Sequence, residues 1–193
     1  LILALGGIPA APEIPGINRR NVLSTAHLYQ RLKTYLRFFS PRVLRWLTRF
    51  WMPLGKRVVI IGGTIQGCEL AEFLAKRWRK VTILETTEVL GDGLAESVKM
   101  HLLGWLAKKG VTMMTEVKYE EITDKGLTIT AKDGKKQTIE ADTVLTALPL
   151  QPNNELFKSL EGRVPEIYQI GDCREPHVIL DAIDDGSRIA RAI

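Results

Sequence analysis

The chain has 193 residues, 45% hydrophobic and 25% charged, the balance of one globular domain or of one domain with pieces of another. No apolar run reaches the roughly 18–20 residues that a membrane-crossing helix needs. The net charge of +5 is local: Asn18 to Arg57 holds ten Lys or Arg and no acid, and the remainder sums to −5, so the overall basicity is no argument for nucleic-acid binding.

Residues 1–5, "LILAL", read as a short apolar strand ending at Gly6-Gly7. Pro9, Pro12 and Pro15 then make a stiff extended connection. From His27 to Trp51 the apolar residues recur at helical spacing, with Ser40-Pro41 as an N-cap and first-turn pair between two short helices. These helices are basic on one side and aromatic-rich on the other. "RVVIIG" is a continuous β-branched run, as in a strand buried on both faces. A helix over 66–78 and a strand "KVTILE" complete a β-α-β unit. The stretch "GLAESVKMHLLGWLAKKG" predicts a second helix stopping at Gly110, and "VTMMT" a third strand. Short strands follow near 117–123, 126–131 and 136–140, with turns at Asp124-Lys125 and Asp133-Gly134. "ADTVLTAL" is another buried strand. A short helix, a last strand "EIYQIGD" and a closing helix over 178–193 end the chain. The fold class expected is α/β: a Rossmann-like parallel sheet with a three-stranded β-meander, plus flanking pieces of a second domain. Because Leu1 opens inside a strand and "RIARAI" ends inside a helix, the chain reads as a piece of a longer polypeptide.

Cys68 and Cys173 are the two cysteines, and no Cys-x-x-Cys exists, so neither a zinc site nor a redox pair of that type is expected. A reducing, cytoplasmic setting follows from the same usage. The chemistry concentrates in "IIGGTIQGCELA". A strand-to-helix turn with glycine at Gly62 and Gly67 sets a pyrophosphate against free N–H groups at a helix N-terminus. The middle glycine of Gly-x-Gly-x-x-Gly is Thr64. Its branched Cβ takes space where the backbone should approach phosphate, while its hydroxyl could donate to a phosphate oxygen. A tolerated substitution and a weakened site both stay open. The next strand ends at Glu85, 23 residues after Gly62, near the spacing at which an acid caps the adenosine ribose. Thr86, Thr87 and Glu88 follow with no Arg for a 2′-phosphate, which favours NADH over NADPH.

Four stretches in this order, "LILALGGIPAAPEIPGI", "VVIIGGTIQGCELAEFLAKRWRKVTILE", "ADTVLTALPLQPNNEL" and "VPEIYQIGDCREPHVILDAIDDGSRIARAI", resemble the C-terminal half of flavoproteins related to 2,4-dienoyl-CoA reductase and 2-enoate reductase. These belong to the group that includes the pyridine nucleotide-disulfide oxidoreductases. The resemblance implies an NAD(H) domain at 54–150 inserted into an FAD domain. Segments 1–25 and 151–193 would be returning pieces of that FAD domain, and 26–53 a basic amphipathic helical insert. It implies cofactor contacts from Gly62, Gly63, Thr64, Ile65, Gln66, Gly67 and Glu85. It also implies Glu69 near the meeting of nicotinamide and flavin, Ala147-Leu148 at a second strand end, and Gly171-Asp172 toward the flavin's ribityl-phosphate region. In such a protein NADH would deliver hydride to FAD, and the partners would be the remaining FAD domain and an N-terminal catalytic domain or acceptor protein. No acid–base catalytic residue is assigned here, since the cofactors carry that chemistry. The isolated chain is expected to be inactive.

The alternative is a relic with the fold but no nucleotide site, or a docking module whose basic helices bind a partner or a membrane surface. Packing or self-association, including a homodimer of the fragment, fits those helices better than membrane contact.

Overall fold

The computed structural model describes residues 1–10, 12–25, 28, 33, 34, 40, 43, 48, 52 and 54–193. Apart from isolated positions, the two helices expected between His27 and Trp51 lie outside the described residues. In chain order the elements are β1 (Ile2–Leu3), β2 (Gly7–Pro9), β3 (Val22–Ser24), β4 (Arg57–Ile61), α1 (Ile65–Ala75), β5 (Lys80–Leu84), α2 (Glu96–Lys108) and β6 (Thr112–Met114). They continue with β7 (Lys118–Thr123), β8 (Gly126–Thr130), β9 (Lys136–Glu140), β10 (Thr143–Thr146), β11 (Leu150–Pro152), α3 (Glu155–Leu160), β12 (Tyr168–Gln169) and α4 (Ile179–Ala190). Among the described residues no helix is long and apolar enough to cross a membrane.

Contacts divide the chain into two compact units, Leu1–Ala10 with Pro149–Ile193, and Ala11–Leu148. The larger unit is built on a five-stranded sheet in the order β3-β10-β4-β5-β6. All its pairings are parallel. Successive residues of β4 point to opposite faces, and both faces are covered. Val58 and Ile60 join Cys68, Ala71, Leu74, Ile83 and Leu106 under the helices. Val59 and Ile61 join Leu84, Ile122, Leu127, Ile129 and Val144 under the antiparallel sheet β7-β8-β9. The continuous β-branched run thus marks a strand with no solvent face: Val59, Ile60 and Ile61 are 1% exposed or less.

Residues 12–25 pack with this unit. Ile14 is 6% exposed among the residues under the meander, and Val22–Ser24 extend the sheet beside Val144–Thr146. The segment 1–25 therefore divides between the two units. The extended connection expected at the early prolines begins in strand β2, where Gly7–Pro9 find antiparallel partners in Leu150–Pro152.

In the smaller unit β1 lies parallel to β12. Asp185, on α4, is its buried polar anchor at 3% exposure. Its Oδ2 accepts from the Gly171 amide at 3.0 Å and Arg174 Nε at 2.8 Å, and its Oδ1 from Arg188 at 2.9 Å. The Arg174 hydrogen bond, against the cost of burial and with help from Arg188 and Gly171, holds the carboxyl down at about 2. A folded pKa below the ordinary 3.8 stabilises the fold above about pH 4, and that stabilisation is lost as pH falls toward 2. Asp185→Asn is expected to lower the urea midpoint at pH 7, with the gap to the parent protein closing between pH 4 and 2. Urea melts at pH 7, 4 and 3 check it; a gap independent of pH would be the contrary result.

Candidate nucleotide site

Sheet register brings the site together. Ile61 pairs with Leu84 on one side and with Thr146 on the other, so the carboxyl ends of β4, β5 and β10 lie in line. Gly62, after the middle strand, therefore lies between Glu85 and Ala147, which follow it by 23 and 85 positions along the chain. Ligands of open α/β sheets bind at this edge.

The turn is built by contacts that exclude side chains. Gly62 has φ +103° and donates its amide to Leu84 O at 2.9 Å. A Cβ there would stand 2.5 Å from Ala147 O. At Gly67 a Cβ would stand 1.9 Å from Gly62 O, so only glycine lets α1 begin this close to the end of β4. A Cβ on Gly63 would meet Leu90 Cδ2 at 2.2 Å. Thr64 differs: its φ of −69° and ψ of −171° are open to any residue, and its side chain makes no capping hydrogen bond. The backbone therefore does not demand glycine at 64.

The first turn of α1 exposes orphan donors. Ile65 donates its amide to Asp92 O at 3.2 Å, and Gly63 donates to Glu85 Oε2 at 2.7 Å. The amides of Thr64, Gln66 and Gly67 have no acceptor among the described residues. Three such N–H groups at the positive end of an 11-residue helix suit a negatively charged ligand.

Glu85 is 7% exposed. Its Oε1 accepts from the Thr87 amide at 3.0 Å and from the hydroxyls of Thr86 at 3.1 Å and Thr87 at 3.2 Å. Burial raises its pKa, but the bonds from the Gly63 and Thr87 amides and from Thr86 outweigh it and leave the carboxyl below the ordinary range. Oε1 is saturated, while Oε2 has one protein donor and a second lone pair for another. Cys68, fully buried, donates its thiol to Gly63 O at 3.3 Å. Burial pushes that thiol up, so it behaves as packing rather than as a nucleophile.

Of the residues singled out from sequence, Gly62, Gly63, Thr64, Ile65, Gln66, Gly67, Glu85, Ala147 and Leu148 gather at this edge. Leu148 Cδ2 comes within 3.3 Å of where a Gly62 Cβ would be. Glu69 lies one turn along α1 and is exposed. Gly171-Asp172 belong to the other unit, in a 3-10 turn where the Gly171 φ is +63°. Sequence reading missed the loop after β5. Gly91 donates to Gly63 O at 2.7 Å and Asp92 O accepts from Ile65, so this loop holds the turn closed. Its sequence signal was Gly91-Asp92-Gly93, with φ of +69° and +86° at the two glycines. Tyr119, from the meander, donates its hydroxyl to Leu84 O at 2.8 Å beneath the same edge.

Residues 1–186 match the family described as pyridine nucleotide-disulphide oxidoreductase. The chain belongs to that family. Members are oxidoreductases of pyridine nucleotides, and the α/β architecture above is theirs. Among similar proteins, an NADH oxidase of Thermoanaerobacter brockii is 30% identical over 98% of this chain and 27% of its own length. A nitric oxide reductase FlRd-NAD(+) reductase of Pectobacterium atrosepticum is 28% identical over 91% of this chain and 46% of its own. The solved structure of a 2-naphthoyl-CoA reductase complex superposes with a TM-score of 0.77 at 30% identity, over all of this chain and 26% of that one. The chain thus spans about a quarter to a half of the length of these relatives.

Proposed function

We propose that the larger unit is the NADH-binding part of an FAD-dependent oxidoreductase akin to the 2,4-dienoyl-CoA and 2-enoate reductases. The observation that carries this reading is the set of amides of Thr64, Gln66 and Gly67, without acceptors among the described residues and at the same strand edge as the half-satisfied Glu85 Oε2. These groups fit a dinucleotide: the amides would hold its pyrophosphate, and Oε2 would accept a ribose hydroxyl. A 2′-phosphate would meet the same buried carboxylate, which disfavours NADPH. When bound, dihydronicotinamide supplies a hydride and flavin accepts it.

In this reading the chain's own residues bind and orient. The larger unit, Ala11–Leu148, carries the nucleotide, while Leu1–Ala10 and Pro149–Ile193 return to the FAD domain with Gly171-Asp172 toward the flavin. Ile179, Leu180 and Ile183 on α4 are 81%, 72% and 62% exposed, apolar area suited to contact with the rest of that domain. The whole protein is an enzyme of the cytoplasm. Its further partner is a catalytic domain or acceptor that takes electrons from the flavin, and this chain alone is inactive.

Titration of NADH and of NADPH, followed by nucleotide fluorescence, tests the reading. NADH is expected to bind at least about tenfold tighter, an energy of about 1.4 kcal/mol. Absence of binding by either nucleotide at millimolar concentration would overturn it. Thr64→Gly is expected to change the NADH Kd by less than about threefold and the stability by only a few tenths of a kcal/mol, since backbone and cap do not depend on the side chain. A tenfold gain in affinity would instead identify the branched Cβ as an obstacle.

A further inference from the structure

The opposite edge of the sheet, where β5 begins and both α1 and α2 end, holds a concavity of about 620 Å³. Lys76, Trp78, Arg79, Lys80, Trp105 and Lys109 line it, and no acidic residue among the described ones does. Two of the four cations sit over one indole, with Lys76 Nζ 5.3 Å and Lys109 Nζ 5.6 Å from the Trp105 ring centre. Lys76 also pairs with Glu72 at 2.6 Å, an exposed i,i+4 contact of little energetic weight.

Cations at helix C-termini favour the helix dipole, and that alone would account for lysines here. It does not account for Trp78 or Arg79. Trp78 has φ +56° and closes α1 by donating to Ala75 O at 3.1 Å, while Arg79 donates to Leu74 O at 3.2 Å. This is the helix-ending position that glycine occupies by preference, because a side chain in the left-handed region is strained. Here it carries the largest side chain, and the residue is 63% exposed. Arg79 Nε is buried without an acceptor among the described residues, and its NH1 reaches Arg77 O at 3.5 Å. A strained, exposed Trp beside an under-bonded Arg is the composition of an interface anchor, not of a solvated helix end.

We propose that this concavity docks an acidic segment of a partner polypeptide. Carboxylates would meet Lys80, Lys109 and Arg79 while Trp78 packs against the segment. A concave site suits a chain or side chain that enters it and not a flat bilayer. Opposite charge also speeds encounter.

The test uses the full chain and poly-L-glutamate, by calorimetry. Binding is expected at 50 mM salt and should weaken about tenfold or more at 300 mM. Lys80→Glu with Lys109→Glu should weaken it at least about tenfold. Lys125→Glu with Lys135→Glu makes the same net charge change in the hairpin turns and should shift it less than about threefold. Trp78→Gly should weaken binding about fivefold or more. Equal losses in the two double variants would reduce the effect to overall charge and overturn the proposal, as would unaltered binding by Trp78→Gly. Binding of inorganic tripolyphosphate without binding of poly-L-glutamate would also overturn it, marking a phosphate site instead.

Discussion

Gly67→Ala is expected to abolish measurable NADH binding and to destabilise the larger unit by about 3 kcal/mol. The added methyl would lie 1.9 Å from Gly62 O and 2.9 Å from Gly62 C, both backbone atoms, with Ile60 Cγ2 at 3.6 Å behind them. No rotamer change removes a clash with backbone, so α1 must lift from β4. That movement displaces the Thr64, Gln66 and Gly67 amides, the donors assigned to pyrophosphate. For a chain of this size the loss is about 6–12 °C in melting temperature, read by circular dichroism. Gly104→Ala is the control. Gly104 lies inside α2 with nothing within 4 Å of an added methyl, so this change should stabilise by about 0.5–1 kcal/mol. Two Gly→Ala changes of opposite sign would separate the close backbone approach from helix propensity; a mild Gly67→Ala would remove the steric argument.

Glu85→Gln should lower NADH affinity at least about tenfold and stability by about 2 kcal/mol. The change keeps the shape but replaces one carboxylate oxygen with an NH2 group. That group must face either the Gly63 amide, now 2.7 Å from Oε2, or the Thr87 amide, now 3.0 Å from Oε1. Either way donor meets donor in a site 7% exposed, and one amide loses its acceptor. Removing the carboxylate charge should also narrow the preference for NADH over NADPH. The pH dependence has a definite sign. A carboxyl held below its ordinary 4.5 contributes stability that is present above that pH and lost as pH falls through the folded value. The parent protein should therefore lose its advantage over Glu85→Gln on acidification below about pH 4.5. Equilibrium denaturation at pH 7, 5 and 3 with parallel nucleotide titrations measures both effects. An unchanged affinity with reduced stability would make Glu85 a clamp on the turn and not a ribose ligand.

Much of the site was legible locally. Gly62 and Gly67 follow a continuous β-branched run typical of a strand buried on two faces, and Glu85 ends the next strand. The meander was also readable, because its turns at Asp124-Lys125 and Asp133-Gly134 are short-range chemistry. The edge strand Val22–Ser24 was not readable. Three residues carry no period, and their partner Val144–Thr146 lies more than a hundred positions away. The pairing of Gly7–Pro9 with Leu150–Pro152 escaped for the same reason.

The sequence by itself determined where backbone must approach backbone, since only glycine satisfies that and glycine is visible as a letter. It also determined which strands have no solvent face. Only the tertiary structure decided which donors stay open for a ligand. Gly63 spends its amide on Glu85 and Ile65 spends its own on Asp92, leaving Thr64, Gln66 and Gly67. The same is true of Thr64: the letter suggested a defect in the motif, whereas its φ of −69° is a conformation that threonine adopts without strain. Hydrogen-bond assignment depends on distances between segments that parallel register aligns, and no local pattern encodes those distances.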